Sequence, residues 1–239
     1  QRRVVLGGNN PASDLYFPIP FAESCRVTAD KAHGQYYHIG YSLYPKDTPV
    51  ESFHLPLTDE EESVLEDVCA KLENKGWDPQ WKQITYESDV VELKPGRTMR
   101  VSVKNGPGII REVGARVTSG EKNVHRKLLL RASWDGAREP NIWSPLGDFF
   151  GEGFQGGTYT SLPTGWTDAG GYSFWRMPFR DRAEFTVENQ GKRAALVALK
   201  VGYEPIEEWS DDLAYFQAKW RREIDCSTFD YPFLECEGK

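Results

Sequence analysis

This 239-residue chain offers little to metal, redox or nucleic-acid chemistry. Its four cysteines, Cys25, Cys69, Cys226 and Cys236, form no CxxC pair and no zinc knuckle. Its four histidines, His33, His38, His54 and His125, are scattered and make no HxH or HExxH motif, so neither a metal site nor a cofactor is expected. Cys226 and Cys236 flank a short aromatic segment and fit either a disulfide, which implies an oxidising compartment, or two buried thiols. The formal net charge is −7 and no dense Lys/Arg run exists, which excludes the basic footprint of a nucleic-acid partner. No apolar run approaches the roughly 18 residues of a membrane helix, so no membrane partner is expected. A P-loop, a dinucleotide fingerprint and a Ser-His-Asp arrangement are also missing. Gly106-Pro-Gly108 precedes strand-like sequence rather than a helix and reads as a turn. The chain opens on Gln1 with no charged-then-apolar leader, as expected of a processed or trimmed product.

Aromatic residues, by contrast, are plentiful: eight Trp, eleven Tyr and twelve Phe. Such rings pack well on the pleated surface of a β-sandwich, and they also cover the C–H face of a sugar. Their arrangement includes an internal repeat. Tyr16-Phe-Pro-Ile-Pro-Phe-Ala-Glu-Ser-Cys-Arg-Val-Thr28 is answered by Phe174-Trp-Arg-Met-Pro-Phe-Arg-Asp-Arg-Ala-Glu-Phe-Thr186, and Tyr36-Tyr-His-Ile-Gly-Tyr41 by Ala198-Leu-Lys-Val-Gly-Tyr203. Each copy reads as two alternating strands joined by a loop. Roughly ninety residues of further strand-like sequence precede the second copy and only about fifteen precede the first. The first module is therefore expected to lack its front half.

The fold class that follows is all-β, a jelly-roll β-sandwich with one near-complete module plus the back half of a second, joined by a helix. Residues 1–56 are the partial module, with breaks at 7–11 and 31–34. Residues 57–82 are a helical connector. Thr58 and Glu61 form a capping box, and acidic residues fill the first turn, where the helix dipole is positive. Val64, Leu65, Val68 and Leu72 make an apolar face expected to pack on a sandwich, and Gly76 with Asp78-Pro79 ends the helix. Residues 83–239 are the second module, with strands expected at 89–93, 99–103, 109–118 and 127–133 and a turn at Lys94-Pro-Gly96. A short helix or helical turn is expected over 211–222, where Leu213, Phe216 and Trp220 fall at helical spacing, and a last strand near 229–235.

Carboxylates in loop-like sequence are the best candidates for chemistry. Asp135, Glu139, Asp148 and Glu152 lie beside Trp134, Trp143, Phe149 and Phe150. Acids among aromatic rings are what glycoside cleavage uses, because one carboxyl must hold a proton while another stays ionised. The candidate substrate-binding set is Trp134, Asp135, Glu139, Trp143 and Asp148. Asp135 before glycine and Asp148 before two phenylalanines fit turn stabilisation equally well, and Glu139 fits an ordinary solvated side chain.

Several ordered motifs carry a resemblance. Gly106-Pro-Gly-Ile-Ile-Arg-Glu-Val113, Leu130-Arg-Ala-Ser-Trp-Asp-Gly136, Pro140, Pro145-Leu-Gly-Asp-Phe-Phe-Gly151, Met177-Pro-Phe-Arg180, Glu188-Asn189 and Tyr215-Phe-Gln-Ala-Lys-Trp-Arg-Arg-Glu223 resemble domain of unknown function 2961, which includes glycoside hydrolase family 172. The resemblance covers about residues 85–239. It implies paired jelly rolls, assembly as trimers or hexamers, and action on α-linked fructofuranosides or arabinofuranosides. The family's proposed catalytic glutamates lie in Gly-Glu-Gly-Glu-like and Gly-Thr-Glu-Asp-Tyr-like segments that do not occur here, so no catalytic residue is carried over. Residues 1–56 stand apart from the simplest family pattern and look like the tail of a preceding jelly roll.

The expected role is a segment or subunit of a secreted or periplasmic glycoside hydrolase, mainly scaffold and oligomer interface. Its expected partners are carbohydrate and either further copies of itself or a companion chain that completes the first module. The competing reading is a jelly-roll carbohydrate-binding or assembly module without chemistry.

Overall fold

A computed structural model describes residues 17–28, 38–73, 84–153 and 157–224. The expected breaks at 7–11 and 31–34, the helix stop at 76–79, the pair Cys226 and Cys236, and the strand near 229–235 lie outside those residues. Two compact units divide the chain, Gln1–Val68 and Cys69–Lys239.

Helix α1 (Asp59–Glu73) starts in the first unit, where its cap dictates, and runs past the division at Val68. The Thr58 amide donates to Glu61 Oε2 at 2.7 Å and the Glu61 amide donates to Thr58 Oγ1 at 3.3 Å, which closes the capping box. Four acidic residues fill its first turn. On the face expected to be apolar, Val64 and Val68 are exposed. Residues 17–28 and 38–50 do not form strands. They have no regular secondary structure, with a turn at 46–47, and are tied by a Phe53 amide to Pro20 carbonyl bond of 2.8 Å, an Ala22 amide to Ser52 Oγ bond of 3.0 Å and an edge-to-face contact of Phe17 with Phe53. An alternating pattern becomes a strand only within a ladder of hydrogen bonds, and the described residues of these segments belong to neither sheet.

The second unit is mostly β. Its elements are β1 (Thr85–Leu93), β2 (Thr98–Val103), β3 (Gly108–Thr118), α2 (Val124–Lys127), β4 (Leu128–Trp134), β5 (Ile142–Pro145) and α3 (Leu146–Phe149), followed by β6 (Tyr159–Thr160), β7 (Thr164–Thr167), β8 (Gly170–Ser173), β9 (Met177–Phe179), β10 (Ala183–Asn189), β11 (Ala195–Pro205) and β12 (Ala218–Lys219). The four strands expected at the front of this unit are present, each shifted or extended by a few residues, and Gly96 supplies the positive φ of the turn between the first two. One seven-stranded sheet runs β1-β11-β3-β8-β7-β6, with β9 also on β3, and a five-stranded sheet runs β12-β5-β4-β10-β2. Every ladder is antiparallel except β12 on β5.

Alternation decides which side chains enter the core between the sheets. On β4, Leu128, Leu130, Ala132 and Trp134 are buried while the residues between them are not; Ala183, Phe185, Val187 and Asn189 do the same on β10. Each large apolar side chain removed from water stabilises the sandwich by about 1.5–3 kcal/mol. Asn189 is admitted because its amide is satisfied: Nδ2 donates to the carbonyls of Leu93 and Arg193, and Oδ1 accepts from the Gly191 amide.

The helix expected over 211–222 is not there. A turn at 211–212 leads through residues without regular secondary structure into β12. The Ala218 amide donates to the Asn141 carbonyl and the Trp220 amide to the Trp143 carbonyl, so main-chain groups that a helix would use internally pair with β5 instead. Phe216 and Ala218, two apart, pack on the core in strand fashion.

Candidate functional site

The sequence-derived candidates fall at opposite ends of β4. Seven residues at strand rise separate the two ends by about 20 Å.

At the C-terminal end, Trp134 is buried, meets Phe185 edge to face, and donates its indole N–H to the Phe216 carbonyl at 2.8 Å. Asp135 follows at φ 55°, a left-handed conformation that aspartate tolerates. This turn aims its carboxylate at the loop before β10, where Oδ2 accepts from the Arg180 amide and Oδ1 from the amides of Asp181 and Arg182, at 3.0, 2.7 and 3.0 Å. The Tyr215 hydroxyl adds a fourth bond at 2.6 Å to Oδ2. Burial opposes ionisation of Asp135, but the Tyr215 hydroxyl and the three amides outweigh it and hold its pKa below the usual value. Tyr215 is pushed up to about 12, by burial first and then by its bond to that carboxylate. Glu139 is exposed in the β4–β5 loop. Trp143 is half-exposed on β5, in register with Arg131 on one side and Lys219 on the other.

At the N-terminal end, Glu121 plays the same part as Asp135. Its carboxylate accepts from the amides of Lys192 and Arg193, just past β10, and pairs with Lys127 Nζ at 2.7 Å. The Lys127 bond, followed by the two amides, lowers its pKa to about 2. Asp135 and Glu121 thus clip the two ends of β10 to the ends of β4.

Beside Glu121, a different kind of cluster forms where α2 meets α3. Arg126 donates Nε to Asp148 Oδ2 at 2.9 Å and Nη2 to Oδ1 at 2.5 Å, a bidentate pair with both side chains largely buried. The Arg126 guanidinium also lies 5.4 Å from the Trp220 ring centre. One residue earlier, His125 Nδ1 lies 3.1 Å from Glu152 Oε2, and the Glu152 side chain is only 2% exposed. The His125 ring tilts against Trp166 at 4.1 Å between centroids. The turn after α3 delivers Glu152 to this position: its amide donates to the Gly147 carbonyl, Gly151 takes a positive φ, and a Cβ on Gly147 would collide with the Glu152 carboxylate.

The structure therefore gathers Trp134, Asp135 and Glu139 near one end of β4, sets Asp148 at the other, and leaves Trp143 on the five-stranded sheet between them. His125, Arg126, Trp166, Trp220 and Glu121 were not among the sequence-derived candidates. Their spacings, such as the 27 positions from His125 to Glu152, follow no local motif, and only the loop acid Glu152 carried any signal. Among the described residues, no group of His, Cys, Asp or Glu could hold a metal ion. Indoles beside the Arg126–Asp148 ion pair and the His125–Glu152 contact at the α2–α3 end do suit a sugar, whose C–H face meets a ring while its hydroxyls meet polar groups.

Two family models match the chain in order, "GH172 first beta-sandwich domain" over residues 6–61 and "GH172 domain-like" over residues 83–199. The chain carries glycoside hydrolase family 172 domains. The first match includes most of residues 1–56, the region that the sequence reading set apart from the simplest family pattern. The second takes in both ends of β4, Asp135 and Glu121 with their amide partners, and α2 and α3 with Trp166; it ends within β11, before Tyr215 and Trp220. No curated protein matches the chain.

Proposed function

We propose that this chain is a segment or subunit of a secreted glycoside hydrolase acting on α-linked furanosides, of the fructofuranoside or arabinofuranoside type. Its jelly-roll architecture serves mainly as scaffold and oligomer interface in a trimer or hexamer. The observation that carries this reading is the ordered pair of family 172 domains. The state of the carboxylates supports the scaffold role. Asp135 and Glu121 are committed to backbone amides, and both oxygens of Asp148 accept from Arg126. A general acid must present an O–H to the leaving group, and none of these three has an oxygen placed to do so. In this reading the acid and the nucleophile come from glutamates other than these, and the α2–α3 cluster with Trp166 and Trp220 forms one wall of the sugar pocket.

Aryl α-furanosides test the proposal. Turnover is expected from the complete native assembly and not from the 239-residue chain alone, and native mass should report three or six copies. A complete assembly that neither turns over these substrates nor binds the sugar overturns it. The non-enzymatic reading, a carbohydrate-binding or assembly module, is favoured by the same committed carboxylates. It predicts glycan-array binding, or a defined oligomer that retains no sugar, with no cleavage by the complete assembly.

A further inference from the structure

The outer face of the five-stranded sheet carries one ring and no apolar patch. Strand register fixes its middle row: Lys219 of β12, Trp143 of β5, Arg131 of β4, Thr186 of β10 and Arg100 of β2 follow one another across the sheet. Met99 and Val101, Leu130 and Ala132, and Phe185 and Val187, which flank this row along the strands, are buried, so the row itself faces away from the core. Four inter-strand steps make it about 19 Å long. Trp143 is 47% exposed and is the only exposed large hydrophobic side chain among the described residues of these five strands. Ion pairs brace the row on both sides. Arg131 Nη1 donates to Glu188 Oε2 at 2.8 Å, with both side chains about one-third exposed, and Arg100 Nη1 lies 3.4 Å from Glu184 Oε2. Lys219 Nζ donates to the Pro140 carbonyl.

A half-exposed indole among paired charges suits one kind of ligand better than others. A protein partner needs a contiguous apolar core within roughly 800 Å² of surface, which a single ring does not supply. A nucleic acid needs surplus positive charge, whereas each of these two arginines is matched by a glutamate. A sugar needs neither, because its C–H face covers the ring while its hydroxyls meet side chains that carry both donors and acceptors. We propose that this face is a carbohydrate-binding surface for a neutral oligosaccharide laid across the strands, separate from the α2–α3 cluster. Trp143 stacks on one sugar ring, and the Arg131–Glu188 and Arg100–Glu184 pairs bond the hydroxyls of the sugars that follow along the row. A guanidinium carries five N–H donors, so Arg131 can serve the sugar without giving up Glu188. The pairing reduces the net charge of the row to that of Lys219, which favours a neutral glycan over an acidic one. β2, β4, β5 and β10 lie within the match to the glycoside hydrolase domain, and it is this membership, not the furanoside reading, on which the choice of a glycan rests.

Isothermal titration of the full chain with three neutral tetrasaccharides, one α-arabinofuranosyl, one fructofuranosyl and cellotetraose, provides the test. At least one should bind, and Trp143→Ala should weaken that binding by about tenfold or more with the melting temperature unaltered. Trp143→Tyr, which keeps a ring, should hold the affinity within about threefold. Arg131→Lys, which keeps the charge opposite Glu188 but loses the fork, should weaken it by about threefold or more. Three results overturn the proposal. None of the three sugars binds; or binding is equal with and without the Trp143 indole, which places the sugar elsewhere and leaves the furanoside reading standing; or an acidic oligogalacturonide binds more tightly than all three and weakens with salt, which assigns the face to anionic glycans. Should Trp143→Ala fail to fold, Arg131→Lys decides in its place, and unchanged binding there overturns the proposal.

Discussion

Carboxylates that hold backbone and carboxylates that hold side chains divide this molecule into two kinds of region. Asp135 and Glu121 spend their oxygens on amides that flank β10 and act as clips of the sandwich. Asp148 and Glu152 instead answer Arg126 and His125 on α2, next to Trp166 and Trp220. The difference separates acids that set the sheet framework from acids that set the side chains of the α2–α3 cluster. An acid bonded to several amides of a loop fixes that loop, whereas an acid bonded to a side chain fixes the orientation of that side chain, here beside aromatic rings.

The comparison breaks most readily at Asp135. Asp135→Ala removes four hydrogen bonds to a charged acceptor and is expected to cost about 2–4 kcal/mol in denaturant unfolding. A loss below about 1 kcal/mol would put Asp135 with the ordinary turn residues. Acid titration tests the other clip. The folded-state pKa of Glu121 is depressed to about 2 from an ordinary 4.5, so its contribution is complete above about pH 4.5 and is lost as pH falls towards 2. Glu121→Gln should flatten the melting temperature against pH across that window, and an unchanged acid slope would remove Glu121 from the clips. A smaller effect is expected for Glu152→Gln, about 1–2 kcal/mol, with most of it absent when His125 is already Gln in a double-mutant cycle. Additive losses would mean that the pair does not act as a unit. Trp143→Ala, outside both regions, should change stability by less than about 0.5 kcal/mol; a larger loss would make that ring a packing element.

The front strands of the second unit and the start of α1 were legible in the sequence because alternation, caps and turn residues are local signals. The strands from Thr85 to Trp134, the turn at Gly96 and the capping box of Thr58 with Glu61 all follow from neighbours a few positions apart. The supposed helix at 211–222 shows the limit. Leu213, Phe216 and Trp220 match a helical period, yet pairing with β5 overrides it, and the sequence holds no record of β5 being near. The site was legible only as a shortlist of loop acids. Whether Asp135 and Asp148 share a site depends on the seven residues of β4 lying between them as a straight strand, and whether each is free depends on partners such as Tyr215 and Arg126.

What the sequence alone determined is the repeat, the strand periodicity and the scarcity of metal-binding motifs, all of which are properties of residues close along the chain. Only tertiary structure decided that Val201 and Tyr203 are core while Ile39 and Tyr41 face solvent, and that Asp135 is a clip while Glu152 is buried against a histidine. The physical reason is that a pattern specifies which face of a segment is apolar but not what lies against it. Burial, hydrogen-bond satisfaction and the state of a carboxyl group belong to the neighbours, and those are brought in by pairing across the sheets.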